Sequence, residues 1–316
     1  MNPFHFPPMT SKVISIEHFS VVRVSKIKSL LLLIILTDFI LSNRNVPSSI
    51  IKNLLLYSKY SLYKGVIVLD NNNKIKGEVD PFQKIGNEIG ILVVHGFTVT
   101  PQSMRPLANA FADEGYTVNL VKLKGHGETP EKLAATTKED WKASVLEGLN
   151  WLQQHTKIQF VIGQSMGGAL TLFLAQREPL SGILLINPAI NIPEFEKITK
   201  EFSPSEYLDG IDSDIKNSNV KEIAYSKIPV SSFQEVINLV KEVRNNVAQI
   251  TCPVMIFASV EDHIVPPSNS DWIYSQIRSS EKSLIKLENS FHTASLDNDQ
   301  KKIINHSIDF ISKFSN

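Results

Sequence analysis

From about residue 86 onward, short β-branched apolar runs alternate with segments of helical spacing, and this alternation constrains the chain more than any other feature. It specifies a parallel sheet covered by helices on both faces, an α/β architecture. The strands are expected in "GILVVHGF", "TVNLVKL", "QFVIGQS", "GILLINPA", "PVMIFASV" and "SLIKLEN". Their unbroken hydrophobicity implies burial on both sides. Helices are expected over 101–114, 138–155, 166–177, 268–277 and 299–314, the second of them opened by Thr137 with Asp140 three residues on. The pattern breaks between Ile190 and about Ile250, where Pro193, Pro204 and Pro229 interrupt a stretch rich in acids, serines and asparagines. That stretch, about 191–250, is read as a small lid inserted at the carboxyl edge of the sheet, where open α/β folds bind ligands.

Residues 61–316 therefore form the expected main domain, and 1–60 an extension. In the extension, Arg23, Lys26 and Lys28 precede "SLLLLIILTDFIL", which has the charge and apolar order of an export signal. Asp38 interrupts it, and the "LSNRNVPSS" that follows lacks a small-residue cleavage site. The run is shorter than the roughly 20 apolar residues of a spanning helix. An amphipathic extension in a cytoplasmic protein is the expectation, with weak membrane association or export as alternatives. "IIKNLLLYSKYSLYKG" is a possible docking helix.

Lysine plus arginine equals aspartate plus glutamate at 32 each, so no net field favours nucleic acid as a partner. A small neutral ligand fits better. The one cysteine, Cys252, can form neither an internal disulfide nor a thiol metal site and is read as core packing.

Gly163-Gln164-Ser165-Met166-Gly167 fits G-x-S-x-G, with an apolar strand before it and a helical segment after it. A serine on that sharp turn is a candidate nucleophile. It needs a base within hydrogen-bond reach and an acid that orients the base, and in this context they follow in the order serine, acid, histidine. Only His263, His292 and His306 come after Ser165. His306 lies in the final helical segment, and His263 directly follows the best acid candidate and would point away from a shared site. His292 sits just past the last strand and is the expected base. Asp262 is the preferred acid over its neighbour Glu261, while Asp297 and Asp299 are assigned to the start and cap of the last helix.

An acyl enzyme also needs two oxyanion donors. The N–H of Met166 follows the nucleophile, and the N–H of Phe97 lies in the loop after the first core strand, with Thr98 as its alternative. His95 and His126 are read as loop architecture. A metal centre built from them and Asp262 has no supporting ligand spacing, so no metal is expected. Phe195 and Tyr207 of the lid are candidates to line an acyl pocket.

"ILVVHGFTVTPQSMRPLANAFADEGYTV", "LKGHGETPE", "GQSMGGAL", "ASVEDHIVPP" and "SFHTASLDND" together resemble bacterial and archaeal carboxylesterases and monoacylglycerol lipases of the serine aminopeptidase S33-like (Hydrolase_4) type. The resemblance runs from about Gly86 to the C-terminus and implies an α/β-hydrolase fold without a cofactor. It also implies Ser165, Asp262 and His292 as the triad and Phe97 and Met166 as oxyanion donors. The expected activity is hydrolysis of small to medium acyl esters, with monoacylglycerol lipase as the alternative. A peptidase would need a charged pocket for a free amino terminus, to which Glu194 and Glu196 could contribute. A noncatalytic scaffold would usually have lost a triad member, and all three candidates are here.

Overall fold

The computed structural model describes residues 79–210 and 213–315, with the backbone of Val68–Leu69 and Ile75–Lys76, which pair antiparallel. The expected extension over 1–60, its apolar run and the possible docking helix lie outside the described residues.

Nine further strands are described: β1 (Phe82–Lys84), β2 (Ile89–Val94), β3 (Thr117–Leu120), β4 (Ile158–Gln164), β5 (Gly182–Ile186), β6 (Tyr207–Asp209), β7 (Lys227–Pro229), β8 (Val254–Ser259) and β9 (Lys282–Leu287). Seven of them form one sheet in the order β9-β8-β5-β4-β2-β3-β1. All neighbours are parallel except β1, which pairs antiparallel with β3. The six expected strands all form. The edge strand β1 was not expected, and its three half-exposed to exposed residues carry little apolar signal.

Along β2, Leu92 and Val94 face one core while Ile91 and Val93 face the other, the alternation required of a strand buried on both sides. The first core receives Trp141, Val145, Leu149 and Leu152 of α3 (Lys138–His155) and nearly the whole of α4 (Met166–Ala175). The second receives Leu107 and Phe111 of α1 (Arg105–Asp113) and Ile303 and Phe310 of α8 (Gln300–Lys313). Helix α7 (Ser268–Gln276) adds Ile273 to the first core. Thr137 opens α3 as expected, its N–H donating to Asp140 Oδ2 at 3.0 Å.

The short α2 (Pro130–Ala134) was not expected. The larger departure lies in the insertion between β5 and β8. It holds α5 (Pro193–Glu201), the β6–β7 hairpin and the fifteen-residue α6 (Val230–Arg244), whose Phe233, Val236, Leu239 and Val240 join the first core. Two of the three prolines read as breaks are starts, and Pro204 lies in a turn. Pro193 is the first residue of α5, and Pro229 immediately precedes α6, where a missing N–H removes no helical hydrogen bond.

Candidate active site

Strand β4 ends at Gln164 and α4 begins at Met166, which leaves one residue for the reversal. That residue is Ser165, held at φ 58° and ψ −121°, a region non-glycine residues rarely occupy. Buried structure on both sides imposes the strain. The Ser165 N–H donates to Ile186 O at 2.9 Å, and its carbonyl accepts from Gly168, Ala169 and Ala189. A Cβ at position 167 would sit 2.4 Å from Val94 O, so only glycine lets α4 approach β2.

The candidate base and acid come from two other strand ends. His292 follows β9 by five residues and Asp262 follows β8 by three. Their side chains meet, His292 Nδ1 to Asp262 Oδ2, at 2.8 Å. The other oxygen, Oδ1, accepts the N–H groups of Ile264 and Val265 at 2.9 and 2.8 Å, which fixes the carboxylate in orientation. Both side chains are almost fully shielded. Burial works to lower the His292 pKa, but the charge and hydrogen bond of Asp262, with the charges of Glu222 and Asp214 behind them, hold it above the ordinary histidine value. Glu261 turns outward and pairs with Lys216 Nζ at 3.1 Å.

Ser165, Met166, His292 and Phe97 line one cavity of about 50 Å³, so the ends of β4, β9 and β2 converge there, and Ile264 and Val265 of the Asp262 loop join them. Met166 is the first residue of α4, whose N–H has no intrahelical partner. Phe97 precedes Thr98, itself at φ 65°, and a Cβ on Gly96 would lie 3.3 Å from Ser165 Cβ, so the loop passes directly against the serine. The Thr98 carbonyl is occupied by the Tyr225 N–H.

His95 and His126 lie beside this loop, fully buried. His95 Nδ1 donates to Gly96 O at 2.9 Å and Nε2 accepts from Leu123 N–H at 3.1 Å, so the backbone occupies both nitrogens. Burial lowers its pKa to about 4 and holds that of His126 well below the ordinary value. A neutral ring that pins two loops together explains His95, while His126 bonds only Lys124 O through Nδ1, packs edge-on against His95, Phe97 and Trp141, and buries its Nε2 without a partner. His263 is exposed, with Nδ1 2.7 Å from Asp214 Oδ1, and His306 is exposed on α8.

Asp297 and Asp299 do more than start the final helix. Asp299 occupies the cap position, but its carboxylate accepts from Asn289 N–H and Ser290 Oγ rather than from α8. Asp297 accepts the N–H groups of Lys216, Asn217, Phe291 and Asn298, tying the insertion to the histidine loop.

Three residues that line or brace the site were not found in the sequence. Asn187, at φ 44°, bonds Ser259 through both ends of its amide and donates to His292 O at 2.8 Å. Glu222 and Asp214 line the cavity from the insertion. Glu222 Oε2 accepts from Thr293 Oγ1 at 3.3 Å, whereas Oε1 is buried without a partner, and burial pushes the carboxyl up to about 7. Of the lid aromatics, Phe195 lines the cavity and packs on Phe97 at 5.9 Å between ring centroids, while Tyr207 is exposed and lies outside it. Glu194 and Glu196 pair with Lys197 and Lys241. Glu196 borders a second cavity of about 280 Å³ between α5 and α6, and Ile192 lines both cavities.

A family model described as Hydrolase_4, serine aminopeptidase S33, matches residues 88–299. A thermostable monoacylglycerol lipase from Bacillus sp. (strain H-257) is 48% identical over 74% of this chain and 94% of its own length. A carboxylesterase from Bacillus subtilis (strain 168) is 26% identical over 74% of this chain and 96% of its own. A solved structure from work on LipS and LipT, two metagenome-derived lipolytic enzymes, is 43% identical with a TM-score of 0.72, covering 75% of this chain and 98% of that one. The monoacylglycerol lipase of Paleococcus ferrophilus, at 16% identity and a TM-score of 0.63 over 75% of this chain and all of its own, shares the fold.

Proposed function

The chain belongs to the serine aminopeptidase S33 (Hydrolase_4) family of α/β-hydrolases and is a carboxylic ester hydrolase, and from that premise we propose that it cleaves monoacylglycerols through an acyl-enzyme on Ser165. His292 accepts the Ser165 proton as Oγ attacks the ester carbonyl, and Asp262 holds the imidazole with Nδ1–H toward itself so that Nε2 faces the reaction. The N–H groups of Phe97 and Met166 stabilise the oxyanion. Loss of one such donor typically costs about 2.7–4 kcal/mol of barrier. His292 then returns the proton to the departing alcohol, and water attacks the acyl-serine by the same route.

The observation that carries the substrate reading is the unpartnered Oε1 of Glu222 in the cavity lined by Ser165 and His292. A buried polar atom without a partner is costly, and a ligand hydroxyl would satisfy it. An alcohol leaving group with free hydroxyls, as in a monoacylglycerol, meets that requirement, and a simple alkyl ester does not. The 48% identical relative named a monoacylglycerol lipase supports the same choice. A carboxylesterase for small to medium acyl chains is the second reading, favoured by the small cavity at Ser165.

Hydrolysis of a monoacylglycerol series and of p-nitrophenyl esters of matched acyl chains, by the wild type, Ser165→Ala and Glu222→Gln, tests both. Ser165→Ala should be inactive on everything while folded, and Glu222→Gln should lose more on monoacylglycerols than on p-nitrophenyl esters. Equal losses on the two series, with short chains preferred, would favour the carboxylesterase.

A further inference from the structure

Asp214 belongs to neither the acid loop nor the base loop, yet it grips both. Its Oδ1 accepts from His263 Nδ1 at 2.7 Å, and its Oδ2 accepts the backbone N–H of His263 and of His292, each at 3.1 Å. Its carbonyl oxygen accepts the N–H of Thr293 at 3.0 Å. One residue of the insertion therefore holds the backbone of the residue after Asp262, of His292 itself and of the residue after His292. The chain continues through Lys216 and Asn217, whose N–H groups go to Asp297, while Lys216 Nζ reaches Glu261. Carboxylates are thus exchanged in both directions, from the insertion to the histidine loop and back.

Asp262 aligns the imidazole from its side chain only, and the ring swings with its backbone unless that backbone is fixed. We propose that Asp214 is a positioning residue for His292, setting the place of the base relative to Ser165 through the backbone on either side of it. The assignment rests on the reading of His292 as the base.

Electrostatics add a readout. The negative groups facing His292 are Asp262, Glu222 and Asp214, while Lys216 is stacked 5.1 Å over the neighbouring Phe291 ring. Asp214 in turn faces His263, which Glu261 and Asp262 also approach. Removing the Asp214 charge favours neutral His292, so the acid limb of the rate profile moves to lower pH. Removing His263 leaves the backbone clamp in place and takes away a partial countercharge, so the limb moves the other way.

The test measures kcat, KM and the pH–rate profile of Asp214→Ala, Asp214→Glu, His263→Asn and His292→Ala beside the wild type, with the folded fraction of each followed by circular dichroism. Asp214→Ala should lose roughly 10- to 100-fold in kcat, the scale of a base displaced by about an ångström, with KM changed far less and the acid limb lowered. Asp214→Glu, which keeps the charge, should recover part of kcat and the original limb. Wild-type kcat and limb in Asp214→Ala, with His292→Ala inactive, would overturn the assignment alone. So would an activity loss that only tracks lost folded protein, with the limb unmoved. An active His292→Ala would instead overturn the reading of the base.

Discussion

A Cβ on Gly163 would stand 2.1 Å from the carbonyl oxygen of Gly167. The strand entering the turn and the helix leaving it thus touch backbone to backbone, with Ser165 between them. Gly163→Ala should destabilise the protein by more than about 3 kcal/mol, because neither side can retreat from a buried carbonyl. Urea denaturation measures this; a loss under about 1 kcal/mol would mean the turn has slack.

The rate should depend on one group that must be deprotonated. As the proposed base, His292 would act only when neutral, and its pKa is held above the ordinary 6.5, so activity should fall on acidification before a free histidine would be protonated. Asp262→Asn removes the attraction that raises the pKa and leaves the wrong tautomer, and kcat should drop by about 10³- to 10⁴-fold. A pH–rate profile of wild-type kcat/KM checks the limb, and a limb below 6.5 would contradict the electrostatic account.

Glu222 should make the protein less stable in alkali. Its carboxyl titrates near 7 in the folded state against 4.5 for an unperturbed glutamate, so between those values the folded form binds more protons. The stability it contributes is complete below 4.5 and is lost as pH rises through about 7. Glu222→Gln should therefore gain on the order of 3 kcal/mol over the wild type at about pH 8 and show no such gain at about pH 4. Thermal melts at the two pH values read the difference, and a gain equal at both would discount the titration.

Glu242 fastens α6 to α3. Its carboxylate lies 2.5 Å from Lys138 Nζ, 3.1 Å from Lys142 Nζ and 3.4 Å from Arg177. Burial alone would raise its pKa, but the bonds from Lys138 and Lys142 prevail and hold it below the usual carboxylate value. That stabilisation is present above the unfolded pKa and fades as pH falls through the folded one. Glu242→Gln leaves Lys138 and Lys142 with Glu139 as their remaining carboxylate and should cost about 1 kcal/mol at neutral pH, with the gap to the wild type closing in acid. A melt unaffected by the substitution would show the cluster to be energetically idle.

The sheet could be read from the sequence because each central strand is a continuous apolar run. The approach of His292 to Asp262 could be anticipated because both lie just past strand ends. Asn187, Asp214 and Glu222 could not be found in the same way. Each acts through partners distant in the chain, as Asp214 does across 78 residues to His292, and no periodic pattern records such a contact. Helix α6 is hidden for a local reason, since Pro229 reads as a break although it stands where a helix tolerates proline.

The insertion is also stitched to the Phe97 loop, through the bridge between Val99 and Ala224 and the hydrogen bond from Tyr225 N–H to Thr98 O. It therefore cannot be grafted between relatives as an independent cassette. A chimera that imports another insertion to change the accepted ester would also exchange the contacts that brace the loops of Phe97 and His292, and selectivity and turnover would change together.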